Sequence, residues 1–189
     1  EGAKYCCSPP PRDEASHEAV WQGLLDGTLA LFSSDHAPYR FDETGKLPHG
    51  EKTTFKQMAN GLPGLEVRLP LLFSEGVMKG RLTLNEFVAL TATNHARMYG
   101  LLPKKGCIAV GADADIALWN PELKVTISHA MLHDNVGYTP YEGREVQGWP
   151  EIVVSRGRVI VEHGELHAQR GSGQFLRCGV PEPVRQVRA

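Results

Sequence analysis

The sequence predicts an α/β domain followed by a smaller β-rich one, and three observations carry that prediction. A strand, a helix and a second apolar strand follow one another between Lys4 and Phe32. The second strand ends in a carboxylate, Asp35, beside His36 and the chain-breaking Pro38. After Pro103 the texture changes to short β-branched runs separated by Gly, Asp, Asn and Pro, the pattern of a small β domain.

In chain order, residues Lys4 to Ser8 form a short strand stopped by Pro9, Pro10 and Pro11, since proline continues neither a sheet nor a helix interior. A helix is expected from Glu14 to Asp26, with Asp13 as N-cap, Val20, Trp21, Leu24 and Leu25 as its buried stripe, and Gly27 as its stop. The run Leu29 to Phe32 has no Gly or Pro and follows Gly27, which favours a buried strand. Strand, helix and strand make a βαβ unit, hence a parallel sheet. Asp35 then lies at a strand's carboxyl end, where parallel folds gather their chemistry. A second reading stands beside it: Ser34-Asp35 opens a turn, with the carboxylate bonded to its own backbone.

Residues 40 to 53 are polar, contain Gly45, Pro48 and Gly50, and show no apolar period. They are expected to form a long loop of the mobile-lid or disordered kind. Asn60 to Glu66 holds Gly61, Pro63 and Gly64 in close order, either a tight turn before a helix or a place where bare backbone nears a ligand. Glu66 to Lys79 is expected to be helical despite Pro70. Thr83 and Glu86 fit a capping box, and Asn94 caps a further short helix ending at Gly100. The runs Cys107 to Val110, Ile116 to Trp119, Val125 to Ile127, Ile152 to Val154 and Val159 to Val161 are the expected strands. Gly164 to Ala189 has little periodicity and is expected to wrap another surface or a partner subunit.

Bulk properties narrow the function. A net charge of -2, with 41% hydrophobic and 22% charged residues, gives no reason to expect a nucleic-acid or membrane-surface partner. No apolar run approaches the ~20 residues that span a bilayer. The four cysteines show no CxxC pair or framework, as for free thiols in a reducing cytosol, so a cytoplasmic location is expected. The chain opens on Glu1 rather than Met, which suggests a fragment.

Other groups offer chemistry by residue type. His129 and His133, and His163 and His167, have the spacing that lets two imidazoles face one ion from a helix. Neither pair carries the HExxH glutamate, and both lie in strand or loop. His36 adjoins Asp35, but neighbours on an extended chain point opposite ways, which makes it a supporting or packing residue. Asp113 and Asp115 sit between two strands, where turn chemistry explains them. Cys6 and Cys7 read as buried small hydrophobes. There is no P-loop, GxGxxG or GxSxG. Spacing and composition therefore stop short of a reaction.

Four motifs taken together go further. Lys4 to Pro10 (KYCCSPP), Ser33 to Pro38 (SSDHAP), Asn60 to Glu66 (NGLPGLE) and Lys105 to Asp115 (KGCIAVGADAD) resemble, in order, the carboxyl-terminal portion of the dihydropyrimidinase and D-hydantoinase branch of the amidohydrolase superfamily. The later runs Tyr138 to Gly143, Val154 to Gly157 and Gly171 to Arg177 are similar to that branch's ending.

The resemblance implies the C-terminal part of a (β/α)8, TIM-like metal-dependent hydrolase barrel in residues 1–100, part of a β-sandwich in 101–163, and a tail in 164–189 that serves as an oligomerisation arm. It implies hydrolysis of the cyclic amide bond of hydantoins or dihydropyrimidines to N-carbamoyl amino acids, at two divalent metals, usually zinc. Asp35 matches the aspartate that ligates metal and moves the proton. Ser8 and Asn60 match substrate-binding positions, with Gly61 and Gly64 allowing the backbone to approach. The remaining ligands, among them a carbamylated lysine, are not in this sequence, so the 189 residues alone are expected to be inactive. The implied partners are a small cyclic ureide and further copies of the chain, as a homotetramer or homodimer. Allantoinase and dihydroorotase are similar through the Asp35 region, but the ending favours the first branch. Non-catalytic relatives that act as scaffolds have lost the metal-site aspartate, and Asp35 argues against them. One departure is Asn94-His95-Ala96 where the family commonly has Asn-Pro-Ala, a change at a helix start expected to affect local stability.

Overall fold

The computed structural model describes residues 1–184. Helices occupy the first half and a four-stranded sheet the second, an α/β composition. Helix α1 (Glu14–Asp26) begins and ends as expected. The Asp13 side chain accepts from the Ser16 amide, and Gly27 closes the helix in the left-handed region at φ 81°. Leu24 is buried with Trp21 and Leu25 packed beside it, whereas Val20 is half exposed.

Neither expected strand of the βαβ unit forms. Residues Gly2–Tyr5 make a 3-10 turn, and 30–40 run without a β-ladder. A strand requires a partner strand to satisfy its amides and carbonyls, and among the described residues none lies beside Leu29 to Phe32. Helices satisfy this segment instead. Leu29 N–H donates to Gly23 O at 2.8 Å and Phe32 N–H to Leu90 O at 3.0 Å. Asn94 Nδ2 donates to Ala30 O at 2.9 Å, and Arg68 Nη1 to Phe32 O at 2.9 Å.

Helix α2 (Arg68–Leu72) runs directly into a π-helical stretch, Phe73–Met78. Helix α3 (Leu84–Val88) starts with the expected capping box between Thr83 and Glu86. It continues through a second π-helical stretch, Ala89–Thr93, into α4 (Asn94–Met98). Asn94 therefore caps nothing: it lies inside a continuous helical run, buried, with its amide spent on Ala30. His95 is likewise inside the run rather than at a start, and its Nε2 lies 3.1 Å from Phe32 O.

The sheet is antiparallel throughout, in the order β1 (Ile116–Thr126), β2 (Glu145–Ser155), β3 (Arg158–Glu162) and β4 (Glu165–Leu166). The two expected strands around Trp119 and Val125 are one strand, whose pairing with β2 breaks between Asn120 and Lys124, around Pro121. Cys107 to Val110 forms no strand, and Ile108 and Val110 stand exposed. Asp113 and Asp115 therefore do not sit between two strands. Their carboxylates are held by Lys105, whose Nζ lies 2.9 Å from Asp113 and also pairs with Asp115, and for Asp115 by the Arg156 amide at 2.8 Å.

The sheet is fastened to the helices by Phe73. Its ring stacks on Trp119 of β1 at 4.6 Å and meets Phe87 edge-on at 5.4 Å, in a core with Leu24, Leu72, Leu82 and Leu90. Gly148 of β2 makes room for that ring: a Cβ there would lie 2.3 Å from Phe73 Cδ1, and its φ is 92°. Val67, Ile127 and Val146 form a second buried cluster at the same junction. Among the described residues, 167–184 have no regular element, but Gly179 N–H donates to Gly100 O at 3.0 Å and Arg97 pairs with Glu182 at 3.0 Å. They thus lie against this chain's own α4, and residues 185–189 of the expected arm fall outside the described residues.

Candidate functional site

Three segments meet through their backbones: Cys6 to Ser8, Asp35 to Ala37, and Asn60 to Leu65. Gly61 N–H donates to Cys6 O at 3.2 Å, and Ala37 N–H donates to Leu62 O at 3.1 Å. Gly61 has no space for a side chain, since a Cβ would lie 2.5 Å from Ala37 Cβ and 2.6 Å from Ala37 O. At Gly64 the nearest atom to a Cβ would be Tyr141 Oη, at 3.7 Å, so that glycine is not required by space.

Asp35 lies within the irregular segment 30–40, which has no turn or ladder. It is exposed, it has φ 46°, and among the described residues its carboxylate has no hydrogen-bond or salt-bridge partner. It does not bond its own backbone, so the turn-opening reading is not what the structure shows. A non-glycine residue in the left-handed region costs energy, although Asp tolerates it better than most, and such residues concentrate at functional sites. His36 is half-buried. Its Nδ1 accepts from the Gly64 amide at 3.0 Å and the Leu65 amide at 3.2 Å, which fixes the proton on Nε2 in the neutral ring. It is a brace between two segments, as its alternation with Asp35 implied.

Ser8 and Asn60 are both exposed. Asn60 Oδ1 lies 3.6 Å from Cys6 Sγ, which donates to it, so the two segments share a side-chain link as well as the Gly61 amide. His129 and His133 are engaged separately, His129 donating its amide to Glu142 Oε2 at 2.7 Å. His133 instead bonds Glu66 through both its amide and its ring, each at 2.9 Å. Among the described residues no cluster of three or more His, Cys, Asp or Glu side chains could hold an ion. The donor set therefore fits one ligand of a metal centre, Asp35, and no more than that.

Two buried polar side chains lie beside these segments: Lys46, which the sequence reading did not single out, and Tyr138, which it named only within the run Tyr138 to Gly143. Lys46 belongs to the expected lid, yet it is completely buried and its Nζ donates to Cys6 O at 2.5 Å. Burial holds its ammonium below the ordinary lysine range. The segment around it is compact: Lys46 N–H donates to Arg40 O at 2.8 Å, and Asp42 accepts from Thr44 and from Arg40 Nε. Tyr138, 3% exposed, packs on Phe41 with ring centroids 5.1 Å apart. Burial pushes its phenol up to about 12. No periodic signal marks either residue, because each lies in a loop.

The amidohydrolase family model matches residues 6–160 of the chain. A D-hydantoinase of Rhizobium radiobacter is 42% identical over 177 residues, which are 94% of this chain and 38% of that protein. A solved D-hydantoinase from Bacillus sp. AR9 superposes with TM-score 0.91 at 43% identity, covering 97% of this chain and 39% of that one. A solved dihydropyrimidinase from Brevibacillus agri NCHU1002 superposes with TM-score 0.89 at 40% identity, over 96% and 39%. The chain thus spans well under half the length of these relatives, and its likeness lies in their D-hydantoinase and dihydropyrimidinase branch. On the match of residues 6–160, the chain belongs to the amidohydrolase family.

Proposed function

We propose that these residues form part of the active site of a hydrolase that opens cyclic ureides, hydantoins or dihydropyrimidines, to N-carbamoyl amino acids. The observation that carries the reading is Asp35, an exposed carboxylate with no partner among the described residues, held in left-handed backbone beside two braced segments. The likeness to D-hydantoinases supports the substrate class.

Asp35 takes the proton from the attacking water and delivers it to the departing amide nitrogen, the work of a positioned general base and acid. The main-chain groups of Ser8 and Asn60, helped by the Ser8 hydroxyl, receive the ureide edge, whose alternating N–H and C=O groups complement a peptide backbone. Ser8 and Asn60 are the substrate-binding positions on that edge. Asp35 would serve as one ligand of a divalent metal centre, for which we propose two zinc ions, and that centre would supply an acidified water and a polarised substrate carbonyl. The barrel and β-sandwich reading of residues 1–100 and 101–163 rests on the same likeness, and the segment after Gly164 is proposed as an assembly arm of a homotetramer or homodimer. No helix among the described residues is long and apolar enough to cross a membrane, consistent with a cytoplasmic enzyme.

The test is a substrate panel of hydantoin, dihydrouracil, allantoin and dihydroorotate on an enzyme that carries these residues with its remaining ligands. Ring-opening of the first two supports the reading. Preference for allantoin or dihydroorotate overturns the substrate assignment.

A further inference from the structure

We propose that Lys46 is a positioning residue for substrate: its buried ammonium fixes the Cys6 carbonyl and thereby the adjoining backbone at Ser8 and Asn60, on which the ureide lies. The inference rests on the reading of Ser8 and Asn60 as substrate-binding positions.

The Cys6 carbonyl is the shared point of the two segments. It accepts from Lys46 Nζ at 2.5 Å and from Gly61 N–H at 3.2 Å, while the Cys6 thiol reaches Asn60. The two donors occupy both lone pairs of that oxygen. Remove the ammonium and the oxygen keeps one neutral bond, which leaves the edge free to tilt about it.

The base from which Lys46 reaches is itself rigid. Gly45 packs so closely that a Cβ would fall 2.3 Å from Arg40 O, and Asp42 ties Arg40 to Thr44. Residues 40–47 are therefore a folded buttress under the substrate edge rather than a lid over it.

Energetics separate positioning from packing. A completely buried lysine with no carboxylate paired to it among the described residues is costly, because the ammonium has left water for one carbonyl. An apolar side chain of the same length would fill the space at less cost. What the ammonium adds is a charge-assisted bond that holds one carbonyl in place. Backbone groups that bind substrate and transition state alike govern KM rather than kcat.

The experiment compares Lys46→Met with the unaltered enzyme carrying these residues and its metal, on hydantoin and dihydrouracil. KM is expected to rise about tenfold, with kcat within about twofold and metal content unchanged. Should Lys46→Met not fold, the same split is read on Lys46→Arg, which keeps a donor but displaces it. An unchanged KM overturns the assignment, as does a joint fall of kcat, metal content and thermal midpoint, which would mark a folding role. An unaltered enzyme that opens no cyclic ureide overturns the functional reading and this inference with it. An active enzyme with an unchanged KM in the variant overturns this inference alone.

Discussion

His36 Nδ1 accepts the Gly64 amide at 3.0 Å, which ties the segment that carries Asp35 to the segment that carries Asn60. The bond lets the segments carrying Asp35 and Asn60, the proposed catalytic and substrate-binding residues, keep one geometry without a strand between them. His36→Ala leaves the Gly64 and Leu65 amides without their acceptor, and kcat/KM is expected to fall about tenfold or more. His36→Asn, which retains an acceptor oxygen, is expected to recover part of it. Steady-state kinetics on both variants check this.

Asp35→Asn separates chemistry from stability. An exposed side chain without a partner contributes little to folding, so the thermal midpoint is expected to correspond to a change within about 0.5 kcal/mol. Loss of the proton carrier and metal ligand is expected to lower kcat by at least about 100-fold. A large loss of stability with modest loss of rate would reverse the assignment.

The Phe73 and Gly148 contact is expected to dominate the junction of helices and sheet. Phe73→Ala is expected to cost about 3–5 kcal/mol by cavity formation. Gly148→Ala is expected to be severe as well, because its Cβ would lie 2.3 Å from the Phe73 ring at φ 92°. Chemical denaturation measures both, and a double variant is expected to cost less than the sum, since removing the ring removes the clash.

Acid is expected to loosen the buttress. Hydrogen bonds from the Thr44 side chain, then from Arg40, lower the Asp42 carboxyl to about 2 from its ordinary 3.8. A folded-state value below the unfolded one stabilises the fold above the ordinary value, and that contribution disappears as pH falls through about 2. The difference in thermal midpoint between the unaltered protein and Asp42→Asn is therefore expected to be constant above about pH 5 and to vanish near pH 2.

Local rules read well from the sequence where one residue decides the outcome. Asp13, Gly27 and the Thr83/Glu86 box do what cap chemistry requires. Leu29 to Phe32 has strand composition, but its ladder needs a neighbouring strand, and the helices supplied Leu90, Asn94 and Arg68 in its place. Pro121 and the surrounding turn residues suggested two strands, whereas β2 pairs with both sides of a single irregular one. Asp35 was legible as an acid at the end of an apolar run, and Ser8 and Asn60 only through resemblance. Lys46 was not legible, since a polar loop gives no sign of which lysine turns inward.

Metal analysis gives a further check. The 189 residues alone offer a single carboxylate ligand in the candidate site and are expected to hold zinc well below stoichiometric amounts at micromolar metal. Zinc bound stoichiometrically by this polypeptide would mean that other side chains gather around Asp35.

The most direct measurement is the ring-opening of hydantoin and dihydrouracil, followed through the N-carbamoyl product, by an enzyme carrying these residues and by its Asp35→Asn variant. The expected result is product from the first and at least about 100-fold less from the second at equal folded protein. Equal rates from both, or no ring-opening by the unaltered enzyme, would contradict the assignment of Asp35 to cyclic-ureide hydrolysis.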